Sequence, residues 1–427
     1  MTSPDHLTVR SPEDILGFIP HSLGYWPAQS LVAMTLQGTR LGATLRLDLP
    51  GREVLAAPAK FLQAVRRYLE ADKEADGTLL AFFTSNSSAS WPSPYDGLLA
   101  GLDSMLERAG MPVREAWYVG DDFWREAWCM DVSCCPLPGR PVQQIRDSTL
   151  NAEMVYRGSS VGPQPEEQAP SGSTVSSLYL AAVREAESAW SAQLDLRRAS
   201  RPQFDAVLRL WWDLLNRPQG EAWLHEADRD GFLRASLLVP AYRDAVLMMA
   251  AAGTQAAEAG AGQLGLFRDE CLLDPVAPQA QLAGMVAPQG DLLGAGASAD
   301  GLQGGAAQEE LCGEVLPGAG MPAYGDVLMG VAPAVPDWER LNALDLVLDQ
   351  LAAAGGRAAA ASFTGRGWIA WCRGRGSYAA ANLRQALDAE PGYRLAELLL
   401  ELVRRGTLCG WAARREAAWQ KFGPDAA

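Results

Sequence analysis

The sequence predicts an N-terminal α/β domain, a mixed sheet with packed helices, followed by an α-helical C-terminal domain that carries a tetratricopeptide-like helical hairpin. Three observations predict it. Short apolar runs alternate with segments of helical spacing over residues 1–157, which is the pattern of helices laid on a sheet. From Val175 onward only helical spacing recurs. Between the two stands RGSSVGPQPEEQAPSGS, a Gly-, Pro- and Ser-rich stretch that places a linker at 158–174.

Ser11 opens the first helix, because its side chain can cap, Pro12 suits the first helical position, and Glu13 and Asp14 favour the positive helix end. Gly17, Pro20, Gly24 and Pro27 then interrupt the pattern, so His21, Ser22, Tyr25 and Trp26 are expected on a compact loop. The apolar run Leu31 to Leu36, a Gly-containing turn, and the alternation Leu41, Ala43, Leu45, Leu47 and Leu49 make a hairpin, with Thr44, Arg46 and Asp48 on its solvated face. Phe61, Leu62, Val65, Tyr68 and Leu69 recur at helical spacing, and Thr78 to Thr84 reads as a strand. Leu98, Leu99, Leu102, Met105 and Leu106 stripe a second helix closed by Gly110, and Val113 to Val119 with Phe123 to Cys129 form a second hairpin around Gly120. Trp117, Trp124 and Trp128 are assigned to its core.

In the C-terminal half, helices are expected at Val175 to Ala199, Arg201 to Asn216 and Gly231 to Ala252, the last broken at Pro240. Residues 253–336 collapse into Ala, Gly, Gln and Pro, a composition that buries too little apolar area to offset its ordering entropy, so disorder is expected over much of it. Helices resume over 337–427, at Trp338 to Ala354, Ala358 to Cys372, Ser377 to Glu390 and Pro391 to Arg405, and are expected to pack with 175–252. Phe363, Gly367, Ala370, Gly374, Ala379, Leu383, Ala386 and Pro391 fall on the spacing of one tetratricopeptide-like unit, in which small residues let two helices approach. An ordinary helical hairpin explains the same residues.

Composition narrows the function. The chain has 427 residues, 48% of them hydrophobic and 20% charged, as in soluble globular proteins. A formal net charge of −15 and a pI near 4.8 argue against broad capture of nucleic acid or anionic lipid, leaving Arg404, Arg405, Arg414 and Arg415 as a local basic candidate. The opening residues have no basic start followed by an apolar stretch, and no apolar run has the length of a bilayer span, so a cytoplasmic location is expected. Seven cysteines, an odd number spread over a long chain, do not resemble a secreted disulfide framework.

Three constellations carry chemistry. His21, Ser30 and Asp48 are the residue types of a nucleophilic triad, but no nucleophile elbow surrounds Ser30, and structural use accounts for all three. Cys129, Cys134 and Cys135, spaced C-x4-C-C, could surround a tetrahedral Zn²⁺ together with His21, against the alternatives of redox sensing and buried packing. The spacing is not that of paired C-x-x-C knuckles, and adjacent cysteines are poorly placed to share one ion. Gly374-Arg375-Gly376 could approach a phosphate where the Ser377 helix starts, although a turn between packed helices explains it too. No phosphate-loop, H-E-x-x-H or dinucleotide fingerprint is present.

RSPEDILGFIPHSLGYWPAQSLV, LRLDLP, CMDVSCCPLPGRPV and CRGRGSYAAANLRQALDAEPGYRLAELL together resemble the actinobacterial family catalogued as Domain of Unknown Function 4192, over most of the chain apart from residues 251–336. The resemblance implies a bacterial cytoplasmic protein and transfers no reaction, cofactor or catalytic residue. The expected function is a non-enzymatic interaction or scaffold protein with a protein partner. The rival is an enzyme or thiol/metal site formed by the His21 loop and the Cys129 to Cys135 segment. A further alternative is weak nucleic-acid binding through the C-terminal arginines.

Overall fold

The computed structural model describes residues 9–85, 93–167, 175–217, 223–267, 273–278 and 322–420. The chain divides into two compact units, residues 1–168 with 420–427 and residues 169–419.

The first unit is a mixed six-stranded sheet with helices on both faces. Its elements run α1 (Pro12–Leu23), β1 (Ser30–Gln37), β2 (Arg40–Asp48), α2 (Arg52–Ala56), α3 (Ala59–Leu69), β3 (Gly77–Phe83), α4 (Asp96–Arg108), β4 (Val113–Val119), β5 (Phe123–Glu126), β6 (Arg140–Pro141), α5 (Gln143–Arg146) and α6 (Thr149–Tyr156). The strand order is β2-β1-β3-β4-β5-β6, and only β3 and β4 pair in parallel. That pair needs the crossover supplied by α4, whereas the antiparallel pairs β1–β2 and β4–β5 close through tight turns.

Strand β1 shows why the sheet sits in the middle. Its side chains alternate between two cores: Leu31 and Ala33 join Leu80, Phe82 and Tyr118 under α3 and α4, while Val32 and Met34 join Leu79, Phe83, Trp117 and Trp124 under α1 and α5. A strand covered on both faces reads as a continuous apolar run, as SLVAM does. Leu45 and Leu47 of β2, with Leu49 just beyond its end, pack on the α3–α4 side, but Leu41, expected on the same face, packs on the other. A register shift between Met34 and Leu36 separates them, and one residue of slip turns a side chain to the opposite face.

Two sequence expectations are corrected here. His21 and Ser22 do not lie on a loop: α1 continues through Pro20 to Leu23, its last turn closed by the Gly24 N–H to Pro20 O at 2.7 Å with Gly24 at φ +89°. Proline removes one helical hydrogen bond, but Gly17, Ile19, Pro20 and His21 are buried, and that packing holds the turn. Trp128 is not in the core; it stands 44% exposed beyond the end of β5.

The second unit is mostly helical, with α7 (Ser177–Leu196), α8 (Arg201–Leu215), α9 (Ala227–Leu238), α10 (Pro240–Ala252), α11 (Thr254–Gln263), α12 (Tyr324–Leu328), α13 (Trp338–Ala352), α14 (Gly356–Cys372), α15 (Gly376–Ala389) and α16 (Arg394–Arg404). One core cluster, including Trp211, Phe232, Met248, Leu344, Trp368 and Trp411, runs through it. The buried Arg234 guanidinium is satisfied by Glu187 and by the carbonyls of Leu351 and Gly355. Much of the expected disordered segment 253–336 lies outside the described residues. Its described ends carry helices: α11 buries Ala256, Ala257, Gly260 and Ala261, and the Tyr324 ring fits where Gly260 has no side chain. Small residues bury little area each, but they let an aromatic ring approach the helix backbone. Among the described residues no single helix is long and apolar enough to cross a membrane; α9 and α10 pass that test only as a pair bent by 102°, and both are buried in this core.

Candidate functional site

The connection from β5 to β6 carries the densest chemistry of the first unit. Cys129 is half-buried, Cys134 exposed and Cys135 buried, and their three sulfur atoms lie within 4.8 Å of one another. The adjacency of Cys134 and Cys135, which counted against a shared ligand in the sequence, does not separate them. Both lie in a helical turn, with their N–H groups donating to Asp131 O at 3.1 and 2.7 Å. In such a turn neighbouring side chains diverge by about 100°, against the opposite faces of a strand.

The turn itself is fixed by Asp131, whose carboxylate accepts from the Ser133 hydroxyl at 2.6 Å and the Ser133 N–H at 2.8 Å. The Ser133 hydroxyl and N–H hold the Asp131 carboxyl below its usual range. Burial pushes the Cys135 thiol up to about 11, with Cys129 and Cys134 adding to the effect and the Glu126 N–H opposing it. Arg140 ties the connection to the rest of the unit. Its Nε donates to Cys134 O at 2.9 Å, Nη1 to Glu13 Oε1 at 3.0 Å, and Nη2 lies 3.6 Å from Cys134 Sγ, while the guanidinium stacks over Trp124. Beside it opens a cleft of about 680 Å³ lined by Glu13, Asp14, Ser133, Cys134, Arg140 and Ser148 among others. Within the β5–β6 connection, residues 128–137 expose four large apolar side chains: Trp128 at 44%, Met130 at 73%, Val132 at 65% and Leu137 at 66%.

His21 does not belong to this group. Its Nδ1 lies 2.9 Å from Ser159 Oγ and its Nε2 2.8 Å from Asn151 Oδ1. The Asn151 amide is oriented by Nδ2 donating to Arg146 O at 2.6 Å, so Oδ1 faces the ring and Nε2 carries a proton. Glu13 marks the thiol end of α1, and a rise of about 1.5 Å per residue sets His21 roughly 12 Å further along. The order hydroxyl, imidazole, amide is that of an activated nucleophile. However, His21 is 0% and Ser159 4% exposed, and neither lines the cleft, so the chain of bonds serves to fasten α1 to α6.

Ser30, Arg46 and Asp48 are brought together, without His21. Ser30 stands opposite Asp48 in the β1–β2 register, Ser30 Oγ donates to Ala28 O at 2.7 Å, and Arg46 donates to Ser30 Oγ at 2.8 Å and pairs with Asp48 at 2.6 Å. A cation occupies the place that a general base takes in a triad. A guanidinium cannot accept the serine proton, so these residues form a strand-pairing contact.

In the second unit the Gly374 to Gly376 turn joins α14 to α15. Gly374 takes φ +74°, and the Arg375 guanidinium lies over the Tyr378 ring at 4.0 Å. Arg405 pairs with Glu401, and Arg414 donates to the carbonyls of Gly410 and Gly330. Sequence reasoning missed the roles of Asn151, Ser159, Asp131 and Arg140, which act through partners as far as 138 residues away. Two local signals were present: the S-x-x-N spacing of Ser148 and Asn151, where Ser148 Oγ accepts the Asn151 N–H and caps α6, and the D-x-S spacing of Asp131 and Ser133.

The family model described as Domain of unknown function (DUF4192) matches residues 12–269 and 329–408. No curated protein and no solved structure matches the chain.

Proposed function

The chain belongs to the family described as Domain of unknown function (DUF4192), and from that premise, which brings no reaction with it, we propose a non-enzymatic cytoplasmic interaction protein whose first unit docks a protein partner through the 128–137 connection. One observation carries this reading: Trp128, Met130, Val132 and Leu137 stand in solvent on a turn braced by Asp131 and Arg140. Exposed apolar side chains on a braced backbone lose little conformational freedom when covered, and aromatic and Met side chains are the types enriched at interfaces.

The partner is a protein with an apolar recess and a basic rim. The ionised Asp131 lies among the apolar groups, and the chain as a whole carries −15, so a cationic surface is steered toward it. The tetratricopeptide-like reading of α14 and α15 supports the same class of function. A side chain at Gly367 would meet Leu383 at 2.7 Å, the close approach that small residues permit in such pairs.

The test compares wild type with a Val132→Ser/Leu137→Ser variant, whose exposed positions leave the fold intact. Cross-linked full-length protein from the native cell should yield a basic partner, recovered less as salt rises, that the variant loses. Recovery of the same proteins by both forms, or of none by either, overturns the reading.

A further inference from the structure

We infer that Cys129, Cys134 and Cys135 together bind one thiophilic d¹⁰ cation, of the Zn²⁺ or Cu⁺ class, as a three-sulfur site. The inference is independent of partner docking and stands on the sulfur geometry. A metal–sulfur bond of about 2.3 Å sets sulfur atoms roughly 3.8 Å apart in a tetrahedral site and about 4.0 Å apart in a trigonal one. The three sulfurs already lie within 4.8 Å of one another, so closure needs side-chain movements of about 1 Å or less.

The surroundings have the form that such a site requires. Cys135 is the buried anchor of the group. Cys134 is exposed, which gives the ion its route in from solvent. Arg140 Nη2 at 3.6 Å from Cys134 Sγ supplies positive charge to offset three sulfur anions around one cation. The Asp131 turn holds both Cys134 and Cys135, and Arg125 Nη2 donates to Cys129 O at 2.9 Å, so each ligand has a braced backbone. Among the described residues no His, Asp or Glu completes the group, and His21 is committed to Asn151 and Ser159. The donor set is therefore all sulfur, which selects soft cations over Mg²⁺ or Ca²⁺. Binding exchanges thiol protons for the metal, and those protons leave to the buffer.

Full-length protein, freed of metal by a chelator under reducing, oxygen-free conditions, is titrated with Co²⁺ as the probe. One equivalent should bind with an intense sulfur-to-cobalt band in the near ultraviolet, and parallel competition with Zn²⁺ and Cu⁺ shows which displaces it more tightly. Cys134→Ser should lose the band while keeping the wild-type circular dichroism. Arg140→Gln should weaken binding by about 10-fold to 100-fold, as for outer-sphere partners. Bound Zn²⁺ should shield Cys129 and Cys134 from alkylation, and chelator should restore it. Folded wild type without the band, or Cys134→Ser binding Co²⁺ as tightly as wild type, overturns the inference. If Cys134→Ser fails to fold, the alkylation result on wild type decides, since unchanged labelling with Zn²⁺ present overturns it equally.

Discussion

His21 shows what a single residue type conceals. Its identity suggested catalysis or ligation, yet both ring nitrogens serve to fix α1 against α6 and the Ser159 loop. That role depends on two residues more than a hundred positions away, and no local spacing encodes such pairs. Replacing the ring by His21→Phe keeps its bulk and leaves Asn151 Oδ1 without this donor in a half-buried place. A stranded polar group of this kind costs about 1–3 kcal/mol, so urea unfolding of the variant should shift to lower denaturant by that amount. Asp72 gives the pH counterpart. Burial works to raise its carboxyl, but hydrogen bonds from Thr35, Gln37 and the N–H groups of Ala43 and Glu74 prevail and hold it below the ordinary 3.8. The folded state then binds this proton less readily than the unfolded chain does, so its stabilisation is complete above about pH 4 and is lost as pH falls through the lowered value. Asp72→Asn should flatten the acid limb of a plot of thermal midpoint against pH and leave its slope above pH 6 unchanged.

At the scale of elements the sequence was most legible where one face is buried. The alternation of Leu45, Leu47 and Leu49 and the stripes of α3 and α4 mapped onto real elements because packing against a single core imposes a period, and the pattern broke at Leu41, where a register shift turns the side chain to the other core. It was least legible where packing overrode a local rule, as at Pro20 inside α1, or where small residues formed a helix against a ring, as in α11 against Tyr324. The thiol connection falls between: its three cysteines were visible, but the turn that converges Cys134 and Cys135 depends on Asp131 O and was not. Close helix approach has a testable consequence at Gly231 in α9, where an added Cβ would stand 2.5 Å from Ala186 Cβ and 2.8 Å from Glu187 N of α7. Alanine normally strengthens a helix, by about 0.8–1.0 kcal/mol over glycine. Here Gly231→Ala should instead destabilise by about 1–3 kcal/mol through overpacking, read as a lower urea midpoint.

For the whole molecule, charge and topology set behaviour that no single site explains. With a net −15, self-repulsion opposes compaction. Raising NaCl from 0.01 to 0.1 M shortens the screening length from about 30 to about 10 Å, so the thermal midpoint should rise over that range. A midpoint that falls would show that attractive ion pairs outweigh the excess of acids. The strand order of the first unit also has a temporal meaning. The β1–β2 pairing joins neighbours across a two-residue turn, and β4–β5 is almost as local, whereas β3 pairs with β1 over more than 40 positions of sequence and with β4 over about 35. Loop closure costs entropy before the contact rewards it. The two hairpins should therefore acquire amide protection early in refolding, and the two seams of β3, the β3–β4 seam among them, should zip last. Pulse-labelled hydrogen exchange that found β3 protected before the two hairpins would reverse that order. Until the seam closes, the inner edges of β3 and β4 are open strand templates, so the newly made chain is most exposed to pairing with a second copy in that interval.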